Sequence, residues 1–202
     1  MLSGWYQSII EADRALFLLF NARLSHPVLD FLFVHITDAA FWIVPGIIGV
    51  AVLIMLERKR AVLIIGLSLI TVGISDPLCC RIIRPAVHRM RPCDARAPIA
   101  GGRFLLGHKR SLSFPSAHAM NSFAQAALFS LLYRRLFVWI VASGIAALVA
   151  FSRIYVGVHW PIDVASGAVL GAAVGGLVFG AYVLIHARWK NSLKPATTPA
   201  VT

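Results

Sequence analysis

Apolar residues gather into long blocks divided by short basic turns. Five blocks, at 41–56, 61–83, 117–133, 136–151 and 162–187, are apolar enough to enter a bilayer. A helix needs about 20 such residues to cross the hydrocarbon core. The pattern therefore predicts an all-α fold, a polytopic membrane bundle of five to six transmembrane helices. The first block is short and needs tilt or local thinning. In the last, Gly167, Gly171 and Gly175 recur at four-residue spacing, a small-residue seam that lets two helix backbones approach closely.

The first 40 residues read differently. Ala15–Phe20 is apolar, but Asn21, Arg23, His26, Pro27 and Asp30 follow within half a span. Ionisable side chains at mid-bilayer are costly, so an in-plane amphipathic helix is favoured over a spanning one. Met1–Asp13 carries Glu11 and Asp13 and has neither the basic start nor the cleavage pattern of a signal peptide. The expected division is an N-terminal amphipathic or membrane helix at 1–40, a membrane domain at 41–187 and a basic polar tail at 188–202.

Composition agrees with a membrane class: 59% of residues are hydrophobic and 13% charged, with a mean hydropathy of +0.80, where a soluble domain is about a quarter charged. The net charge of +11 suits nucleic acid, an anionic membrane or an anionic substrate. Because the cations sit between apolar spans and form no stripe on a soluble fold, membrane and phosphate are the expected partners. No nucleic-acid partner and no obligate protein partner is evident. Cys79, Cys80 and Cys93 fit neither a zinc pattern nor a disulfide framework and read as structural.

Charge also suggests orientation. Arg58–Arg60, Arg134–Arg135 and Arg188, Lys190 and Lys194 fall at one end of alternating helices. Positive short loops mark the cytoplasm, which implies a multi-pass inner-membrane protein with the loops 84–116 and 152–161 facing the periplasm or exterior. Those outer loops are basic too, with seven Lys or Arg from Arg84 to Arg110.

Three strings in those loops account for the cations: Arg84-Pro-Ala-Val-His88-Arg89-Met-Arg91-Pro92, then Pro115-Ser116-Ala117-His118, then Ser152-Arg153 through His159-Trp160-Pro161-Ile-Asp163. The topology brings all three to one membrane face. Arginine presents a planar fork of donors that matches phosphate oxygens, so Arg84, Arg91 and Arg153 suit a phosphoryl group and its transition state. Pro115 suits the first position of a helix, which would aim the N–H groups of Ser116, Ala117 and His118 at an anion. Pro161 likewise predicts a helix start. Asp163, as its third residue, can fold back as in a capping box, fix one ring nitrogen of His159 and leave the other as a nucleophile. His118 can protonate the leaving alkoxide and then activate water.

These strings resemble the signature of the type 2 phosphatidic acid phosphatase family, which shares its site with vanadium haloperoxidases. The resemblance runs from about Asp38 to Ala187, and the third string matches at every defined position. It implies a PAP2-type lipid phosphatase or diphosphatase, with no metal and no other cofactor. Phosphate binding falls on Arg84, Arg91, Ser116, Ala117 and Arg153, the acid on His118, the nucleophile on His159 and the orienting carboxylate on Asp163. Arg84 stands where the family has Lys, and Ala117 where it has Gly. The chain resembles bacterial members that act on undecaprenyl diphosphate or lipid A 1-phosphate, which implies undecaprenyl diphosphate as the first-ranked substrate, with lipid A 1-phosphate or phosphatidylglycerol phosphate as the alternative.

Other residues carry weaker signals. His88 and Arg89 are candidate substrate contacts, Asp76 is either a functional intramembrane acid or a partner of Arg81, and Tyr155 and Trp160 are candidates for an interfacial aromatic belt. A transporter or flippase is the rival class for so apolar a bundle, but the paired broken helices of that class are not evident. A vanadate-dependent peroxidase would share the pocket, yet that family is soluble.

Overall fold

The computed structural model describes residues 2–192, in which all regular structure is helical. Helix α1 (Leu2–Leu18) runs into a π-helical turn (Leu19–Arg23), and α2 (Pro27–Ile36) follows after a sharp bend of 114°. A short 3₁₀ turn (Ala39–Trp42), opened by the Asp38 carboxylate on the Ala40 N–H, leads into α3 (Ile43–Glu57). Helix α4 (Lys59–Pro77) continues through a π-helical segment (Leu78–Ile83) into α5 (Arg84–Val87). After a long loop come α6 (Ala117–Tyr133), α7 (Leu136–Tyr155) and α8 (Pro161–Ser192). Residues 188–192 of the expected polar tail continue α8, and 193–202, with Lys194, lie outside the described residues.

Four stretches among the described residues are long and apolar enough to cross a membrane: Ala39–Glu57, Lys59–Val87, Leu136–Tyr155 and Pro161–Ser192. The bent α1–α2 pair makes a fifth if taken as one broken span. Helix α6, at 17 residues, falls just short of a full span yet sits at the centre, packed on α8, α7 and α4. Helix α3 has no buried residue and packs only on α4 and its own leading turn; its exposed Ile47, Ile48 and Met55 suit lipid.

Glycine permits the central contact. A Cβ on Gly171 would lie 2.1 Å from the Met120 carbonyl oxygen, one on Gly175 2.2 Å from that of Ala124, and one on Gly167 2.7 Å from that of Ser116. The seam read from the sequence is therefore a backbone-to-backbone contact between α8 and α6. It fixes the start of α8 beside the start of α6, and two of the three motifs lie there.

The basic turns share one end of the bundle. Arg60 donates to the Leu132 carbonyl at 3.2 Å and lies over the Tyr133 ring, joining the α3–α4 turn to the α6–α7 turn. The opposite end carries the loop 88–116 and the turn 156–160, and the π-helical turn after α1 and helix α2 fold against it. Fully buried Asn21 donates to the carbonyls of Arg103 and Tyr155, each at 2.7 Å, and accepts from the Arg103 N–H at 2.6 Å. Asp30 pairs with Arg103 and accepts from the Tyr155 hydroxyl. Tyr155 is thus fully buried in a cluster with Phe33, Ile36, Cys93, Val156 and Val158. The expected belt position is corrected, because α7 continues to Tyr155 and α2 covers it.

Gly171→Leu should separate α6 from α8 and lower the unfolding temperature in detergent, at a cost of about 1–3 kcal/mol. Gly176→Leu is the control, since nothing lies within 4 Å of a Cβ there. Equal melting of the two variants would show that the seam is not a packing contact.

Candidate active site

Helix α7 runs on through Ser152 and Arg153 to Tyr155, so these two residues belong to its last turn and not to the loop in which the sequence reading put them. The chain then turns at Gly157, with φ +86°, where a Cβ would stand 2.2 Å from the Arg103 carbonyl oxygen. Only glycine allows both the left-handed conformation and this close approach of the long loop. The turn delivers His159, 2% exposed, into the base of the site, just before Pro161 opens α8.

Asp163 takes up the capping position expected of it. One carboxylate oxygen, Oδ2, accepts from the Trp160 N–H at 3.0 Å and faces His159 Nδ1 at 3.5 Å. The other imidazole nitrogen, Nε2, meets Arg91 Nη1 at 2.9 Å. A guanidinium has no acceptor, so Nε2 must offer its lone pair, and the proton lies on Nδ1, toward Asp163. This tautomer leaves the Nε2 lone pair turned toward Arg91.

Cations crowd that nitrogen. Arg91, itself buried, also donates to the Val158 carbonyl at 2.8 Å and to Ser111 Oγ at 2.9 Å. Arg153 is buried and donates to Thr37 Oγ1, and Arg84 reaches the Pro115 carbonyl at 3.1 Å. Arg89, Arg96 and Arg103 each pair with an aspartate, whereas Arg84, Arg91 and Arg153 have no carboxylate partner among the described residues. Burial, then Arg91, Arg153, Arg84 and His118, hold His159 well below the ordinary histidine pKa. Burial and the Arg84 charge lower Arg91 in the same way. Lys109, absent from the motifs, is pushed down by burial and then by Arg153 and Arg91, which makes it a fourth cation of the cluster. Nothing in its sequence context marks it.

The second motif is rearranged. Ser116, not Pro115, stands at the helix boundary: α6 begins at Ala117, and Ser116 occupies the capping position before it. The Ser116 N–H is not free for an anion, because it donates to the Asp163 carbonyl oxygen at 3.0 Å. The N–H groups of Ala117 and His118, first in the helix, have no intrahelical acceptor and remain available. The bond from Ser116 instead ties the starts of α6 and α8 together.

His118 lies at the head of a groove of about 770 Å³ running down between α4, α6 and α7, lined also by Thr37, Trp42, Val72, Phe129 and Val149. Asn121, Ser122 and Gln125 follow it on the same face of α6. Asn121 donates to Asp76 at 3.0 Å and Gln125 to the Ser68 carbonyl at 2.8 Å. Asp76 thus pairs with Asn121 and Cys80, and the expected pairing with Arg81 is not formed. His88 ends α5 in the left-handed region, φ +53°. Arg89 lies behind the dyad on Asp163, away from Nε2, and Trp160 donates to the Met90 carbonyl. Among the described residues no group of three or more His, Cys, Asp or Glu could hold a metal ion.

A helical membrane bundle with a buried, carboxylate-free cluster of arginines around an oriented histidine is the framework of a membrane phosphatase. The chain belongs to the PAP2 superfamily, which it matches over residues 61–187. It is 32% identical over 196 residues, 96% of this chain and 82% of the relative, to the lipid A 4'-phosphatase of Porphyromonas gingivalis. The crystal structure of a PAP2-type phosphatidylglycerolphosphate phosphatase from Bacillus subtilis superposes with a TM-score of 0.63 at 27% identity, covering 93% of this chain and 89% of that one. Aquifex aeolicus LpxE gives 0.64 at 25% identity, covering 82% and 93%. The protein is a multi-pass membrane hydrolase of lipid phosphates.

On the expectation that His159 is the nucleophile its neutral form reacts, and the acid limb of kcat/KM, which reports the free enzyme, should lie below pH 6.5, the ordinary histidine value. Arg91→Gln removes a nearby positive charge, so the pKa of His159 rises and the limb should move to higher pH. Titration of the substrate is common to both proteins and cancels. An unmoved limb would show that His159 does not control the profile.

Proposed function

We propose that the protein removes a phosphate monoester from lipid A or a closely similar acylated sugar phosphate, through a phosphohistidine on His159. The carrying observation is the set of two buried arginines, Arg91 and Arg153, and half-buried Arg84, none with a carboxylate partner among the described residues, around an Nε2 lone pair, the electrostatic complement of a phosphate dianion. His159 Nε2 attacks phosphorus while the bond from phosphorus to the lipid oxygen breaks. His118 gives its proton to the departing oxygen and releases the lipid alcohol. Water then attacks the phosphorus as His118 takes back a proton, and inorganic phosphate leaves with His159 restored. Arg84, Arg91 and Arg153, with the N–H groups of Ala117 and His118, stabilise the added charge of the five-coordinate state.

The substrate ranking changes from the one drawn on sequence. Similarity to a lipid A 4'-phosphatase over nearly the whole chain favours lipid A over undecaprenyl diphosphate.

Phosphate release from lipid A, undecaprenyl diphosphate and phosphatidylglycerol phosphate, presented in mixed micelles, should be fastest with lipid A. His159→Ala should abolish it, and His118→Ala should slow it by about 10²–10⁴-fold. Orthovanadate should compete with substrate and chelators should have no effect. Faster release from undecaprenyl diphosphate would reverse the substrate choice, and full activity of the His159 variant would falsify the mechanism.

The same reading places the protein in the inner membrane with its site facing the periplasm, on the strength of the short basic turns. A cysteine at Ala100, in a background lacking Cys79, Cys80 and Cys93, should react with an impermeant thiol reagent in intact spheroplasts, and one at Lys59 should not. The opposite labelling would turn the site to the cytoplasm.

A further inference from the structure

We infer that Asp13 and Arg89 are positioning residues for the nucleophile, which makes α1 a working part of the active site. The inference rests on His159 as the nucleophile and goes beyond the three motifs, none of which contains Asp13. Asp163 is fully buried, where a carboxylate is costly unless paired. Its Oδ2 serves the Trp160 N–H and faces His159, and its Oδ1 accepts from Arg89 Nη1 at 2.7 Å. The other arm of Arg89, Nη2, donates to Asp13 Oδ2. Asp13 is itself 2% exposed, and its second oxygen accepts from the Ile162 N–H at 2.9 Å.

Two buried carboxylates therefore share one guanidinium, and both also hold backbone N–H groups at the start of α8. Those donors have no intrahelical acceptor, and the positive end of the helix favours a carboxylate. Asp13 supplies from α1 a cap that a neighbouring residue normally provides. Arg89 is held in turn: its carbonyl accepts from the Ser113 N–H at 2.8 Å, and its guanidinium lies over the Trp160 ring at 5.4 Å. The resulting row runs His159, Asp163, Arg89, Asp13, alternating in charge once the imidazole becomes positive. Arg89 keeps Asp163 ionised and aimed at Nδ1, while Asp13 offsets the guanidinium so that it does not cancel the help Asp163 gives to the developing imidazolium. Both terminal arms of Arg89 are committed to carboxylates on the side of Asp163 remote from Nε2, which separates it from the phosphate-facing arginines.

The test uses the full chain in detergent micelles, with phosphate release from lipid A or, where that lipid is inert, from undecaprenyl diphosphate. Asp13→Asn should lower kcat by about 10²-fold, the scale of a small misplacement of reacting groups, with KM little changed. Arg89→Met should be at least as impaired, and Arg89→Lys should recover part of the loss. The double variant Asp13→Asn/Arg89→Met should be no slower than Arg89→Met alone, because Asp13 acts through Arg89. If Arg89→Met does not fold, a slowed burst of acid-labile phosphoenzyme in Arg89→Lys gives the same information. Unchanged kcat in Asp13→Asn, a loss confined to KM, or independent losses in the double variant each overturn the inference. With His159→Ala inactive and Asp13→Asn at full rate, only this inference falls; with His159→Ala active, the nucleophile assignment falls with it.

Discussion

Charge repulsion without internal compensation organises this molecule. Arg84, Arg91 and Arg153 approach one another at the end of a bundle of apolar helices, and no carboxylate among the described residues neutralises them. Unpaired buried charge is expensive, so such a cluster persists only if the surrounding structure holds it rigidly. Carbonyl oxygens do part of this work: Val158 and Ser111 on Arg91, and Pro115 on Arg84. Partial negative charge from carbonyls orients a guanidinium without discharging it, so the cluster stays positive.

The helix packing exists in the form that this cluster needs. The glycine contacts of α8 on α6 bring the first turns of the two helices together, and the bond from the Ser116 N–H to the Asp163 carbonyl locks them. His118 and His159 thereby come to one end of the bundle from separate parts of the chain. Membrane helices gain little hydrophobic energy from meeting each other, so close backbone packing and interhelical hydrogen bonds hold them. The first 40 residues complete the enclosure from outside, through Asn21 on the long loop and Asp30 on Arg103 and Tyr155.

Buried polar groups at the site are satisfied unevenly. Asp163 and Asn21 each make several bonds, whereas His159 Nδ1, Arg84 Nε and Arg153 Nε meet no hydrogen-bonding partner. Along α6, Asn121 and Gln125 use their nitrogens and leave buried oxygens without a protein partner. Rigidity at the base of the site therefore rests on Asp163 and Asn21, whose bonds cross between separate parts of the chain.

The sequence by itself determined the helical membrane class, the approximate places of the apolar helices, the glycine seam, and the meeting of three motifs at one end. These depend on local composition and spacing, which a bilayer reads almost directly, because every backbone polar group within it must be satisfied inside its own helix. The capping position of Asp163 was also legible, since Pro161 and a carboxylate two residues later act within a single turn. Tertiary structure alone decided the partners of Asp13, Asn21, Thr37 and Arg89 and the place of Lys109 beside the arginines, and corrected the readings of Ser116 and Tyr155. Each depends on a partner far along the chain: Asp13 on Arg89 and Ile162, Asn21 on Arg103 and Tyr155, and Thr37 on Arg153. A lone buried aspartate or asparagine has no spacing to announce its partner, and the same side chain caps, pairs or positions according to what the fold brings within about 3 Å of it.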